Sequence, residues 1–222
     1  MGLIAYDKYQ GQSEDIIKNR AYHFDKFKPG LKKWIKGADV TEYNVTWNGD
    51  LYIDYCDGLA NPRDPKFFNG SRLLVREITN PKIFAAITTE ELYNDPAVII
   101  VKHSELFSIK ALLAILNSNL LTFYHFNFSP KSTKGAFPKI LVKDVKEFPI
   151  SSISEYFKNE SERMIDEILE KKQQNQDTTV LEQQIDNLVY KLYDLTYDEV
   201  LVVEPAFAER MSREEYEGIQ VE

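Results

Sequence analysis

Residues 131–146 form the segment of this chain whose composition most directly suggests a chemical role. Five lysines share that segment with one carboxylate, that of Asp144. Ammonium groups in such a segment neutralise the phosphates of a nucleic acid and displace its counterions, which gives affinity without sequence information. The lysines that we expect to contact phosphate are Lys131, Lys134, Lys139 and Lys143.

A second set of side chains carries the paired hydrogen-bonding groups that reading a base edge requires. A guanidinium group donates two parallel hydrogen bonds to guanine, and a carboxamide pairs with adenine. The candidates of the first kind are Arg63, Arg72 and Arg76, and those of the second kind are Asn127, Asn61 and Gln12. Arg63 is favoured because Pro62 and Pro65 stiffen its segment. Arg72 and Arg76 could equally bind the acidic C-terminal part of the chain.

The motifs of familiar catalytic centres are missing from the sequence. It contains no glycine-rich dinucleotide or phosphate loop, no G-x-S-x-G and no histidine pair at metal-ligand spacing. With three scattered histidines and the single Cys56, a closed structural zinc site is not expected. The charged residues around Asp166 are interpreted as the solvent face of a helix. We therefore assign no catalytic residue, no cofactor-binding residue and no metal ligand.

Composition places the chain among ordinary globular proteins. It has 222 residues, of which 43% are hydrophobic and 28% are charged. No apolar run approaches the length of a membrane span, and the N-terminus lacks the pattern of a secretion signal. Since a single cysteine cannot form an internal disulfide, we expect a cytoplasmic location and no membrane partner.

The net charge of −8 is distributed very unevenly. Residues 1–150 contain 20 Lys and Arg against 17 Asp and Glu, whereas residues 151–222 contain 7 against 18. The first part is therefore slightly basic and the second strongly acidic. Such asymmetry is a recognised, although weak, sign of a surface that meets an anionic polymer.

The first hundred residues are predicted to form short strands joined by turns, because aromatic and β-branched segments alternate with Pro-Gly and Asn-Gly pairs. The clearest hairpin joins residues 45–47 to residues 50–53 across Asn48-Gly49. Residues 71–78 and 97–102 are further strand candidates.

From Ser108 onward the apolar period becomes helical. It predicts one helix over residues 108–125, capped by Ser108, and then a loop leading to a strand over residues 131–146. Two amphipathic helices are predicted after Ile150.

Near the C-terminus, capping-box spacing marks two helix starts, at Thr179 with Glu182 and at Thr196 with Glu199. Residues 210–222 are highly charged and are predicted to fray.

Six short motifs follow one another along the chain. They are Ala21-Tyr22-His23; Trp34-Ile35-Lys36-Gly37-Ala38-Asp39-Val40 with Tyr43; Leu59-Ala60-Asn61-Pro62-Arg63 with Phe67-Phe68; Arg72-Leu73-Leu74-Val75-Arg76-Glu77-Ile78; Leu112-Leu113-Ala114-Ile115-Leu116-Asn117-Ser118; and Phe137-Pro138-Lys139-Ile140 with Phe148-Pro149-Ile150. In this order they resemble the TaqI-like C-terminal specificity domain, the target-recognition part of single-chain type II restriction-modification methylases. The resemblance extends over about residues 2–203, and each motif alone is weakly specific.

This resemblance implies a division of labour. In the family, a preceding domain binds S-adenosylmethionine and methylates adenine through an Asn-Pro-Pro-Tyr motif. The nearest approach here, Asn61-Pro62-Arg63-Asp64, differs at its third and fourth positions and has no glycine-rich loop before it. The chain thus resembles the specificity fragment of an adenine-specific DNA methyltransferase whose catalytic half, with its S-adenosylmethionine, lies outside this sequence.

The expected architecture is α+β, with a twisted, mostly antiparallel sheet, a helix packed on it and a C-terminal helical appendage. Residues 1–150 would be the DNA target-recognition domain, residues 151–204 a spacer that docks on the catalytic domain of the same parent polypeptide, and residues 205–222 a charged tail. The expected function is sequence-specific recognition of double-stranded DNA without catalysis. A protein-interaction module that reads no DNA, and a hydrolase with an unrecognised site, are the alternatives.

Overall fold

The computed structural model describes residues 1–105, 107–129, 132 and 138–220. Its strands are β1 (His23–Phe24), β2 (Lys32–Ile35), β3 (Tyr52–Ile53), β4 (Arg72–Arg76), β5 (Ala85–Thr88), β6 (Tyr93–Asn94) and β7 (Val98–Lys102). Its α-helices are α1 (Glu14–Lys18), α2 (Ile109–Asn117), α3 (Asn119–Phe128), α4 (Val142–Glu147), α5 (Glu155–Gln173), α6 (Thr179–Leu192), α7 (Tyr197–Val203) and α8 (Arg213–Glu217). The fold is α+β with mostly antiparallel pairing, as predicted.

The chain divides into two compact units. The sheet unit comprises Met1–Ile78 and Ala85–His103, and the helical unit comprises Thr79–Phe84 and Ser104–Glu222. This division differs from the expected boundary at residue 150, because α2, α3 and α4 belong with the later helices. None of the helices in the described ranges is long and apolar enough to cross a membrane.

The sheet unit contains two small sheets rather than the single sheet that was predicted. One has the strand order β1-β3-β2-β6, with β2 and β6 parallel, and the other has the order β5-β4-β7. The middle strand β4 is buried on both faces because Leu73, Leu74 and Val75 are all apolar. Both strands predicted over residues 71–78 and 97–102 are confirmed in shortened form.

The predicted hairpin over residues 45–53 is wrong. Val45 bridges Val40, whereas Tyr52 and Ile53 of β3 pair with both β1 and β2. The Leu51 carbonyl accepts the backbone N–H of Trp34 and the indole N–H of Trp47. The β3 strand is therefore taken by non-local partners, although Gly49 has the positive φ that the Asn-Gly turn predicts.

The helix predicted over residues 108–125 is interrupted at Ser118. The Ser118 hydroxyl accepts the N–H of Leu121 and donates to the Ile115 carbonyl, so one residue ends α2 and starts α3. Ser108 caps α2 as predicted. Within the helical unit α2 packs on α5, where Lys110 pairs with Asp166 at 2.7 Å.

Four further predictions about the C-terminal half have different outcomes. The two amphipathic helices and the capping box of Thr196 with Glu199 are confirmed. The strand expected near residue 146 is wrong, since Val142–Glu147 is α4, with Asp144 accepting the N–H of Leu141 at its start. Helix α6 is preceded by Thr178 as its N-cap residue, so the cap lies one residue earlier than predicted.

The charged C-terminal end does not fray over the residues described. Tyr216 of α8 is buried in an aromatic cluster with Tyr190, Tyr197 and Phe207, and its hydroxyl donates to the Leu195 carbonyl. Burying one aromatic ring stabilises the fold more than the exposed charges around it destabilise the helix.

A buried carboxylate fixes the junction of α2 and α3 on α6. Asp186 accepts hydrogen bonds from the backbone N–H of Asn119 at 2.7 Å and from its side-chain amide at 2.9 Å. Burial raises the pKa of Asp186 to about 7, and the Glu204 carboxylate adds to the shift against the opposing hydrogen bond from Asn119.

This raised pKa predicts a stability that depends on pH. The folded chain holds the Asp186 proton more tightly than the unfolded chain, so the free energy of unfolding falls as pH rises from about 4 to about 7. In Asp186→Asn this contribution is absent. Between pH ~5 and pH ~8 the variant should therefore gain about 2 kcal/mol relative to the parent chain, measured by urea unfolding. A difference between the two proteins that is the same at both pH values would contradict this assignment.

Candidate nucleic-acid interface

The loop of residues 61–70 in the sheet unit presents Arg63 to solvent in an unusual backbone conformation. Its φ is +63°, in the left-handed region that side-chain-bearing residues rarely adopt. The Tyr55 hydroxyl donates a hydrogen bond to the Arg63 carbonyl, and Asp64 caps the short 3-10 helix Pro65–Phe67. The backbone on both sides of Arg63 is thus held in place.

The Arg63 side chain is also supported. Its guanidinium carbon lies 5.1 Å from the centre of the Phe67 ring, at cation–π distance. Among the residues that the structure describes, no carboxylate lies within ion-pair distance of it. The donors at the edge of this guanidinium group are therefore available to a ligand.

Other cations surround the same loop. The Lys102 ammonium group donates to the carbonyls of Lys66 and Asn69, which fixes a positive charge against the loop backbone. Lys66 pairs with Asp64 at 2.8 Å, and this contact lowers the pKa of Asp64. Burial and the charge of Arg63 lower the pKa of the Met1 amino group. Lys102 has no sequence signal that marks it as part of this loop, whereas Phe67 lies in the same short motif as Arg63.

The two carboxamide candidates in the sheet unit differ in availability. Asn61 is exposed, and its backbone pairs with Ile4. Gln12 accepts the N–H of Asp7 and donates to the carbonyls of Ala5 and Gly58. Its amide is consumed by loop backbone, so Gln12 is a structural residue and not a base reader.

Arg72 is unsuited to base reading because it is completely buried. Its guanidinium donates to the carbonyls of Gly70, Glu90 and Leu92, at 2.8–3.2 Å, while its Nε has no partner among the described residues. Burial lowers the pKa of Arg72 to about 10, which still leaves it charged at neutral pH. Arg76, at the end of β4, is half-buried and makes interactions within the protein.

The remaining candidates belong to the helical unit. Asn127 is exposed in the last turn of α3 and donates to the Phe123 carbonyl. Lys143 is exposed on α4, 3.8 Å from Glu147, and Lys139 is half-buried. Lys131 and Lys134 lie outside the described residues.

Two of three comparisons with known proteins gave a match, one to a family model and one to a solved structure. Residues 32–150 match the family model of the TaqI-like C-terminal specificity domain. No curated protein sequence matches this chain. Among solved structures, the fold is similar to that of the Type IIL restriction-modification enzyme MmeI in complex with DNA, with a TM-score of 0.58 at 11% identity. The match covers 97% of this chain and 34% of that chain, so this chain spans about a third of the enzyme's length.

The contrast between the two arginines predicts that the same substitution lowers stability much more at Arg72 than at Arg63. Arg72→Ala leaves a cavity in the core and removes the donor from three carbonyls, of which that of Leu92 is buried. It should lower the free energy of unfolding by about 3 kcal/mol. Arg63→Ala, as the control, removes an exposed side chain and should change it by less than about 1 kcal/mol. Chemical denaturation of both variants measures this, and equal stabilities would show that the Arg72 hydrogen bonds have no net value.

Proposed function

Since this chain belongs to the family of TaqI-like C-terminal specificity domains, we propose that it recognises a specific sequence of duplex DNA for a restriction-modification enzyme. The observation that carries this proposal is Arg63, an exposed guanidinium group on a fixed loop with free donors. A fork of this kind matches the two acceptors of guanine in the major groove. MmeI, which is similar in fold, was solved as a DNA complex.

We assign the supporting contacts by the chemistry of their side chains. Asn61, beside Arg63, is suited to an adenine edge, and Asn127 retains an acceptor and one N–H beyond its bond to Phe123. Lys131, Lys134, Lys139 and Lys143 would bind phosphates, and Arg76 is a second candidate fork. Arg72 is dropped as a reader because its donors are consumed inside the sheet unit.

The parent enzyme, in this proposal, is a cytoplasmic adenine-specific DNA methyltransferase. Its catalytic domain belongs to the same polypeptide, binds S-adenosylmethionine and acts on a base flipped from the duplex that this chain positions. The acidic helices of residues 151–204 would dock on that domain, since their negative charge keeps them away from DNA.

In this proposal the chain itself does not hold S-adenosylmethionine. The segment nearest to the catalytic motif of the family runs from Asn61 to Asp64, and it has Arg63 and Asp64 where the motif has Pro and Tyr. The Asp64 carboxylate already caps the following turn and pairs with Lys66. We derive no methyl-transfer step from it.

Arg63 gives the direct test. Duplexes are selected from a randomised pool by the parent chain, by Arg63→Ala and by Arg63→Gly, and affinities are measured for the selected and unrelated duplexes. Losing a bidentate contact of about 1–3 kcal/mol should weaken cognate binding by about tenfold or more and leave non-cognate binding nearly unchanged. Arg163→Ala, which removes an equal charge from the exposed face of α5, is the matched control.

Arg63→Gly separates binding from folding. Glycine adopts positive φ without cost, so this variant should be at least as stable as Arg63→Ala and equally defective in discrimination. If both variants select the same DNA word as sharply as the parent chain, Arg63 is not the reader.

A separate expectation concerns the cofactor. Calorimetry of the chain with S-adenosylmethionine should give no heat of binding, since the groups that would hold it lie in another domain. Saturable binding in the micromolar range would overturn the proposed division of labour.

A further inference from the structure

A second arginine of the sheet unit shares the unusual properties of Arg63. Arg20 follows α1, is exposed and has a φ of +48°. Its N–H donates to the Ile17 carbonyl, and its own carbonyl accepts the N–H of His23. The backbone of Arg20 is therefore fixed in the left-handed region by its neighbours.

The Arg20 side chain rests on a rigid aromatic platform. Its guanidinium carbon lies 5.6 Å from the centre of the Tyr6 ring, which stacks on Tyr22 at 5.7 Å. The Tyr6 hydroxyl accepts the N–H of Tyr22 and shares a hydrogen bond with His23 Nδ1. Burial, aided by the charges of Arg20 and Lys36, lowers the pKa of His23 to about 4, so this ring is neutral beneath the cation.

The backbone conformation of Arg20 is not explained by the needs of the turn. At four other positive-φ positions the chain has glycine. Two of these, Gly11 and Gly70, have room for a side chain, so glycine serves there for its backbone conformation and not for lack of space. Asn175 and Asp194 have side chains that tolerate this region, and Tyr43 is buried. Arg20 and Arg63 are the exposed exceptions among the described residues. Glycine would adopt this backbone conformation with less strain at both positions, which indicates that the arginine side chains have a function.

Both arginines lie near the N-terminal segment, residues 1–6. Ile4 pairs with Asn61 and is exposed, whereas Leu3 and Ala5 are buried and Tyr6 is partly buried against the same core. The charge of Arg63 acts on the Met1 amino group at the start of this segment, and the Arg20 guanidinium carbon lies 5.6 Å from the centre of the Tyr6 ring at its end. Five residues of chain separate Met1 from Tyr6, which is at most about 17 Å when extended.

The charges around Arg20 leave its donors available. No carboxylate among the described residues lies within ion-pair distance of it. The acid that senses its charge is Asp95, which is partly buried and accepts the N–H of Ala97. Glu14 and Asp15 lie on α1, the short helix that precedes Arg20. The acceptor-rich floor of a DNA groove would repel their carboxylates.

We propose that Arg20 is a further DNA-contacting residue that clamps a backbone phosphate beside the base pair read by Arg63, an inference that rests on the proposed function. A guanidinium group in cation–π contact with a ring keeps N–H donors free for two phosphate oxygens. The acidic helix beside it holds this contact at the rim of the duplex rather than in the groove. Arg20 thus fixes position, and Arg63 supplies sequence information.

The test compares Arg20→Ala, Arg20→Gly and Arg20→Lys with the parent chain, using labelled duplexes of random and of selected sequence at several salt concentrations. The first two variants should bind every duplex about tenfold more weakly and lower the slope of log K against log salt by about one. The selected DNA word should not change. Arg20→Lys keeps the charge and should retain the slope with a smaller loss of affinity.

Controls make the outcomes distinct. Lys18→Ala removes a neighbouring exposed cation that already pairs with Glu14, and it should bind within about twofold of the parent chain. Arg20→Gly tests folding, because it should be as stable as the parent chain.

An unchanged salt slope in Arg20→Ala, with Arg63→Ala still defective, overturns this inference and leaves the proposed function intact. A changed DNA word in Arg20→Ala overturns the phosphate assignment. Failure of the parent chain to bind any duplex in a salt-dependent way overturns the proposed function and this inference together.

Discussion

The sheet unit depends on a charge buried among carbonyl groups. The Arg72 guanidinium joins the start of β4 to the Gly70 carbonyl of the candidate loop and to the carbonyls of Glu90 and Leu92, just before β6. Because β4 and β6 lie in different sheets, one side chain connects both sheets and the loop that carries Arg63. Backbone carbonyls satisfy most of its donors, which makes the burial of a cation tolerable.

Sequence alone could not separate Arg72 from Arg63. Both are arginines near predicted strands, and both carry the fork that base reading needs. Their difference arises from long-range structure, since β7 and β5 cover the two edges of β4, and Glu90 and Leu92 supply two of the three carbonyls that Arg72 binds. The stiffness that Pro62 and Pro65 predict for the Arg63 segment agrees with its fixed loop, but its positive φ has no sequence signature.

Local signals predicted the helical unit better than the sheets. The caps at Ser108 and Thr196 and the amphipathic periods of α5 and α6 involve neighbours within one or two turns, so the sequence contains the whole signal. The break at Ser118 was missed because the apolar stripe continues through it. The partners of β3 were missed because pairing with β1 and β2 depends on residues about 20 to 30 positions away.

The acidity of the C-terminal part has a largely internal explanation. Within the helical unit, carboxylates find cations at Lys110–Asp166, Arg163–Glu160, Lys172–Glu182 and Arg210–Glu204. These pairs use cations of the unit itself, so its acids do not require the arginines of the sheet unit as partners. The sequence also allowed Arg72 and Arg76 to be partners of the acidic part. For Arg72 that alternative is not needed, because backbone carbonyl groups already bind its guanidinium group.

Preorganisation is what distinguishes Arg20 and Arg63 from ordinary surface cations. A free arginine side chain loses about 2 kcal/mol of rotamer entropy when a ligand fixes it. The cation–π contact with Tyr6 or Phe67 restricts the side chain before any ligand arrives, and the hydrogen-bonded backbone fixes the position of its Cα atom. The entropy is therefore lost on folding and not on binding. This loss, together with about 1–2 kcal/mol of left-handed strain, lowers the stability of the folded chain. Lys143, flexible on α4 near Glu147, has no such support, so any phosphate contact that it makes would carry the full entropic loss.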